Sequence, residues 1–192
     1  MRTRPAPPRR PTRSPRGSPP TRIHLLRHAI AAPRDPARYP DDNLRPLTRE
    51  GRARMVRAAQ GLKALEGKFD IVLTSSLTRA ADTARILAAA FRPRLKIKVL
   101  RPLQPGGGAG GVMAGLSALP ADASIVLVGH EPDLSRLAGA LLLEQRDTLR
   151  AEFKKGGVCR IDFDGTPHLG EGRLIYFLPP RILRGYKKTS ED

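Results

Sequence analysis

The chain has 192 residues, 40% of them hydrophobic, a formal charge of +17 and a single cysteine, Cys159. This length supports one domain with a real core rather than two. The lone cysteine excludes an internal disulfide, and no run approaches the roughly eighteen apolar residues of a membrane helix, so a soluble, cytoplasmic and monomeric anion-attracting protein is expected.

Residues 1–21 alternate Arg and Pro with Ser and Thr and offer almost nothing to a core. They are expected to be a disordered tail, followed by a folded domain over 22–180 and a C-terminal tail over 181–192. Residues 1–22 hold seven arginines and no acid, which leaves +10 for the rest of the chain. With neither an apolar stretch nor an amphipathic period, the segment reads as neither a secretory signal nor a transit peptide.

From Ile23 a short buried strand runs to Arg27, and a polar loop follows through Pro46. Thr48 caps a helix that closes near Gly67, with Met55, Ala59, Leu62 and Leu65 on its buried face. Phe69 to Thr74 reads as a second strand. Leu77 to Ala90 reads as a second helix with Ala80, Ala84, Leu87 and Ala88 inward, which puts Arg79 in its first turn. Leu95 to Leu100 is a third strand, followed by a Gly-rich loop from Pro105 to Gly111, a short helix to Leu119 and a fourth strand from Ser124 to Val128. His130 then lies two residues past the strand. A helix from Asp133 to about Leu143 precedes strands over Val158–Phe163 and Arg173–Leu178, with Asp164-Gly165 as a turn signal. This alternation predicts an α/β fold, a three-layer α/β/α sandwich around a mostly parallel central sheet.

In such a sheet, residues just past the carboxyl ends of different strands converge on one crevice. Three segments are so placed: Arg27-His28, Ser75 through Arg79, and Gly129-His130. Two guanidinium groups match the paired acceptors of a phosphate, which a lysine cannot do. Arg79 at a helix N-terminus adds backbone N–H groups and a favourable dipole. His130 can donate to a phosphoryl oxygen, and Ser75 and Ser76 can cap the helix. A histidine nucleophile needs an unprotonated nitrogen surrounded by such cations, so the layout points to a phosphohistidine-forming phosphatase. His24, inside the first strand, and His168, in a turn, read as structural or exposed.

The glycine run Gly106 to Gly111 lacks a following Gly-Lys-Ser/Thr and is not a P-loop. No Cys, His or carboxylate set has metal-ligand spacing, so neither metal nor cofactor is expected. The basic charge also suits a nucleic-acid-binding module, but three Tyr, five Phe and no Trp offer no evident stacking surface. No specific nucleic-acid partner is expected.

Four segments taken together resemble the histidine phosphatase, or phosphoglycerate mutase-like, superfamily. They are Arg27-His28, Arg45-Pro46-Leu47-Thr48 with Gly51, Ser75-Ser76-Leu77-Thr78-Arg79-Ala80 with Thr83-Ala84, and Gly129-His130-Glu131-Pro132. The likeness spans Ile23 to Leu178 and is nearest to the small SixA-type phosphohistidine phosphatase branch. It implies a phosphoglycerate mutase-like fold with His28 as the phosphorylated nucleophile. Arg27, Arg79 and His130 would complete the phosphate pocket with Ser75, and Arg45 would stand at its rim.

There are two departures from the family pattern. Ala29 replaces the usual glycine, a small change. More telling, Val99 to Ala121 contains no Asp or Glu, where relatives that cleave phosphomonoesters carry a carboxylate acid. A positioned acid contributes about 10²–10⁴-fold to expulsion of a poor leaving group. The resemblance and this gap together imply a phosphohistidine-bearing protein as substrate, with a small phosphate ester as the alternative. Asp35, Asp41 and Asp42 are possible substitutes for the acid. Lys154-Lys155 and Arg160 could steer an acidic partner protein, or simply form a solvated basic turn.

Overall fold

The computed structural model describes residues 19–143 and 149–187. Its strands are β1 (Thr21–Arg27), β2 (Ile71–Thr74), β3 (Lys96–Val99), β4 (Ser124–Gly129), β5 (Val158–Phe163) and β6 (Arg173–Leu178), and its helices are α1 (Arg49–Glu66), α2 (Thr78–Ala89), α3 (Ala109–Leu116), α4 (Asp133–Leu142) and α5 (Pro180–Gly185). The strands form one sheet in the order β3-β2-β4-β1-β5-β6. Four neighbours, β3, β2, β4 and β1, run parallel; β5 runs antiparallel to β1, and β6 antiparallel to β5.

Side chains alternate across a strand, so the sheet feeds two cores. Ile23 and Leu25 of β1 join Ile125, Leu127 and Ile161 beneath α3 and α4, which contribute Val112, Leu116, Leu134 and Leu137. Leu26, Val126 and Val128 face the other way, onto Met55, Ala59 and Leu62 of α1 and Ala80, Ala84 and Leu87 of α2. The result is the expected three-layer α/β/α sandwich. Strand β4 is buried along its whole length, as the continuous apolar run Ile125 to Val128 requires of a central parallel strand.

Three local features differ from the sequence reading. The glycine run does not stay a loop: Gly108 at φ 73° is the N-cap of α3, which starts at Ala109 and includes Gly110 and Gly111. Strand β4 takes in Gly129, so His130 follows it directly. Residues 181–185, read as part of a tail, form most of α5, whose Leu183 is buried. The close approach of α5 to α1 requires Gly61, where an added Cβ would lie 1.8 Å from the Leu183 carbonyl oxygen. Of the expected N-terminal tail, residues 1–18 lie outside the described residues, while Thr21 begins β1 and donates its hydroxyl to the Gly165 carbonyl at 2.6 Å.

The loop after β1 is drawn shut at its neck. Ala31 bridges Leu47, the Ala32 N–H donates to the Pro46 carbonyl at 2.9 Å, and the Thr48 N–H donates to the Ile30 carbonyl at 3.0 Å. Thr48 also caps α1 by accepting from the Gly51 N–H at 2.9 Å.

On the α1 side of the sheet, Glu66 at the end of α1 sits in a buried ionic cluster. Its carboxylate accepts from Tyr176 Oη at 2.8 Å and Arg160 Nη1 at 3.1 Å, and lies 3.2 Å from His24 Nε2. Burial opposes the charge, but His24, Tyr176 and Arg160 outweigh it and hold the Glu66 carboxyl at about 2. His24 is thus structural, as expected. Arg160 is not free to steer a partner, because it is also forked onto both oxygens of Asp162 at 2.8 Å.

Candidate active site

Three chain segments leave the sheet at neighbouring strand ends. Arg27 is paired with Gly129 across β1 and β4, and Thr74 with Val128 across β2 and β4. The ladder runs on by one residue on each side: the His28 N–H donates to the Gly129 carbonyl and the Ser75 N–H to the Val128 carbonyl, both at 3.1 Å. His28, Ser75 and His130 therefore emerge side by side from a rigid edge. The two imidazole rings lie 5.1 Å apart, centroid to centroid, tilted by 51°.

His28 is buried, with Nδ1 2.7 Å from the Ala29 carbonyl oxygen. A carbonyl only accepts, so Nδ1 carries the hydrogen of the neutral ring and Nε2 keeps its lone pair. The backbone that supplies this carbonyl is itself fixed from α2: the Ala29 N–H donates to Thr83 Oγ1 at 3.0 Å, and the Thr83 hydroxyl donates to the Arg79 carbonyl at 2.7 Å. Thr83 thus ties the position of His28 to the helix that carries Arg79.

Burial pulls the His28 pKa from 6.5 down to about 3; the Ala29 hydrogen bond opposes the shift, and His130, Arg79 and Arg27 add to it. Burial likewise brings His130 to about 4, helped by Arg79 and opposed by Asp133. Both rings are expected to stay neutral from pH 8 to pH 5 when followed by imidazole NMR, and a ring titrating near 6.5 would contradict this. Because the unfolded chain takes up these protons at about 6.5 and the folded chain does not, stability should fall as pH drops from 6.5 towards 4.

His130 places Nε2 3.0 Å from Ser75 Oγ, which accepts from the Leu77 N–H at 3.2 Å and has its own hydrogen free for Nε2, so that the neutral His130 ring carries its hydrogen on Nδ1. The N-cap of α2 is Leu77, with no side-chain cap bond. Ser75 therefore orients His130 rather than capping the helix as a serine N-cap would. Arg79 sits in the first turn of α2, buried, and donates through Nη1 to the backbone carbonyl of Asp42 at 2.8 Å, while Nη2 lies 3.1 Å from Asp42 Oδ2. Arg27, ending β1, donates through Nη1 to the Phe153 carbonyl.

Glu131 went unassigned in the sequence reading. Its carboxylate accepts from the Phe153 N–H at 2.5 Å and the Ser135 hydroxyl at 2.7 Å, which fixes the segment that holds Arg27. The only sequence signal was a carboxylate directly after His130. Arg45 donates to Asp42 Oδ1 at 2.8 Å and to the Ala32 carbonyl at 2.7 Å, so it braces the loop after β1.

The candidate substitute acids do not fit that role. Asp35 accepts from the N–H groups of Ala37 and Arg38, and Asp41 from that of Asn43, so both build turns. The hydrogen bond from Arg45 holds the Asp42 carboxyl below its usual range; burial opposes this, and the charges of Arg79, Arg45 and Arg34 reinforce it. Asp42 is a carboxylate with no proton to give.

Among the described residues, six buried side-chain atoms have no hydrogen-bond partner, and three of them are Arg27 Nε, Arg79 Nε and His130 Nδ1. Unpaired buried donors are expensive and rare in folded proteins. Here they sit on the three side chains whose charge or ring bears on His28. Donors of this kind around a neutral imidazole suit a tetrahedral oxyanion bonded to that ring. Among the described residues, no group of three or more His, Cys, Asp or Glu could hold a metal ion, and no helix is long and apolar enough to cross a membrane.

Comparison with known proteins converges on one group. Residues 23–104 match the family described as the histidine phosphatase superfamily (branch 1). An uncharacterized protein of Picosynechococcus sp. is 42% identical over 139 residues, spanning 71% of this chain and 81% of the relative. Of solved structures, the protein histidine phosphatase SixA complexed with tungstate aligns with a TM-score of 0.72 at 26% identity, over 85% of this chain and 99% of that one. A proposed phosphohistidine phosphatase SixA from Agrobacterium tumefaciens aligns with a TM-score of 0.68 at 28% identity, over 84% and 99%.

Proposed function

The chain belongs to the histidine phosphatase superfamily and its SixA-type branch, and from that premise we propose that this phosphatase removes the phosphoryl group from phosphohistidine on a protein through a covalent intermediate at His28. The observation that carries the reading is the neutral, buried His28 ring, with Nε2 unprotonated, among the unpartnered nitrogens of Arg27, Arg79 and His130. A SixA structure solved with tungstate, a tetrahedral oxyanion, supports an oxyanion as the ligand here.

In the first step the Nε2 lone pair of His28 attacks phosphorus in line. The bond from phosphorus to the substrate nitrogen breaks, and its electron pair returns to the substrate ring. Arg27 Nε, Arg79 Nε and His130 Nδ1 donate to the peripheral oxygens, where negative charge spreads in the transition state. Water then attacks the phosphorylated enzyme. His28 leaves as a neutral imidazole because its Nδ1–H has stayed on the Ala29 carbonyl throughout. Neither departure needs a proton from a carboxylic acid.

An alkoxide leaving group does need one, and this site supplies none from Asp35, Asp41 or Asp42. The test mixes the full chain, in EDTA, with a phosphotransfer protein radiolabelled at phosphohistidine. Rapid quenching then follows free phosphate and label on the enzyme. Phosphate release with transient acid-labile label is expected, with kcat/KM for an alkyl phosphate lower by about 10²–10⁴-fold. An alkyl phosphate hydrolysed as efficiently as the phosphoprotein would overturn the substrate reading.

A further inference from the structure

Asp42 has no part in the chemistry above, yet it lies on the guanidinium of Arg79. Its backbone carbonyl accepts from Arg79 Nη1 at 2.8 Å, and its Oδ2 is 3.1 Å from Arg79 Nη2. Its Oδ1 accepts from Arg45 Nε at 2.8 Å, with Arg34 Nε further away at 3.8 Å. A carboxylate has about four lone-pair positions, so these contacts leave it room to accept another hydrogen bond. With its side chain 32% exposed, Asp42 presents that remaining capacity to solvent.

Two anions are therefore asked to share one planar fork: Asp42 on the terminal nitrogens and, in the proposed reaction, a phosphoryl oxygen on Nε. A carboxylate beside a phosphate is repulsive, unless the group attached to the phosphate is itself a cation with an N–H to give. A phosphohistidine ring protonated on its distal nitrogen is such a group, whereas a sugar or alkyl phosphate is not.

We propose that Asp42 is a specificity residue, whose carboxylate accepts a hydrogen bond from the ring nitrogen opposite the phosphorylated nitrogen of the substrate. This rests on the phosphohistidine reading of the site. During transfer the phosphorus–nitrogen bond to the substrate breaks as the bond to His28 Nε2 forms. The electron pair stays on the departing ring nitrogen, and the distal nitrogen keeps the proton it shares with Asp42. The leaving group departs as a neutral imidazole, so Asp42 does for the substrate ring what the Ala29 carbonyl does for His28. No acid is consumed, and the ring is held in its more labile, cationic form.

The test is Asp42→Asn in the full chain, assayed on a phosphohistidine protein, on 4-nitrophenyl phosphate and for inhibition by orthophosphate. Removing a charge-assisted hydrogen bond should lower the ratio of kcat/KM for phosphohistidine over the aryl ester by about 10- to 100-fold. Orthophosphate should bind at least as tightly as before, because a neighbouring negative charge has gone. An equal loss on both substrates with weaker orthophosphate inhibition would reduce Asp42 to a brace for Arg79 and overturn the proposal. An unchanged ratio would also overturn it. If the unmodified chain releases no phosphate from phosphohistidine, the underlying reading fails, and the unmodified chain shows this without the variant.

Discussion

Replacing His28 with Ala should abolish turnover, lowering kcat/KM for a phosphohistidine protein by at least ~10⁴-fold, as losses of a covalent nucleophile do. The acid-labile label on the enzyme should vanish with it. The expectation follows from the geometry of the ring. Nδ1 is committed to the Ala29 carbonyl at 2.7 Å, so Nε2 is the nitrogen left with a lone pair. Burial keeps it unprotonated, with a pKa of about 3, so essentially every molecule is competent at neutral pH. Loss of the ring also removes a buried group, so His28→Asn, nearer in size, serves as the companion variant and should lose as much. Either variant retaining activity within about tenfold of the parent would show that the phosphoryl group passes directly to water. A folded variant that binds orthophosphate yet forms no label would isolate the chemical role from a structural one.

Replacing Arg79 with Lys should cost about 10²–10³-fold in kcat, the scale seen when one preorganised oxyanion donor is removed. The positive charge survives this change and the shape does not. The guanidinium bonds the Asp42 carbonyl at 2.8 Å and meets its carboxylate at 3.1 Å while Nε has no partner in the protein. A single ammonium cannot hold the loop carrying Asp42 and also meet a phosphoryl oxygen in a fixed plane. Weaker orthophosphate inhibition should accompany the loss. Activity within tenfold of the parent would mean that charge alone, rather than the fork, stabilises the transition state. Thermal unfolding separates a local effect from a global one, since Arg79 belongs to neither hydrophobic core.

The features legible in the sequence were those set by short-range pattern. Ile23 to Arg27, Phe69 to Thr74 and Ser124 to Val128 read as buried strands because apolar runs bounded by polar or turn residues have few other uses. Their ends then place His28, Ser75 and His130 together through the topology of a parallel sheet. Arg79 was legible because a helix so clearly follows β2. What stayed hidden depends on distant segments meeting. Asp42 looked no different from Asp35 and Asp41 until the loop was seen to fold back onto α2. Glu131 owes its role to Phe153, which arrives 22 residues later in the chain. Helix α5 has only six residues, too few to show a helical period, and is recognised by the Leu183 side chain it buries against α1.

The closed neck of the loop after β1 separates two kinds of change. The Ala31–Leu47 bridge and the hydrogen bonds beside it hold both ends of the loop in register with His28 and α1. Residues between them can lengthen, shorten or change without shifting that frame. Doubling such a loop adds only about 0.6 kcal/mol of closure entropy. In the proposed reaction the chemistry therefore rests on strand ends that tolerate little variation, and the selectivity proposed for Asp42 on a segment whose length costs little to change. Insertions there would leave His28 and α1 in place so long as Asp42 keeps its two contacts with Arg79.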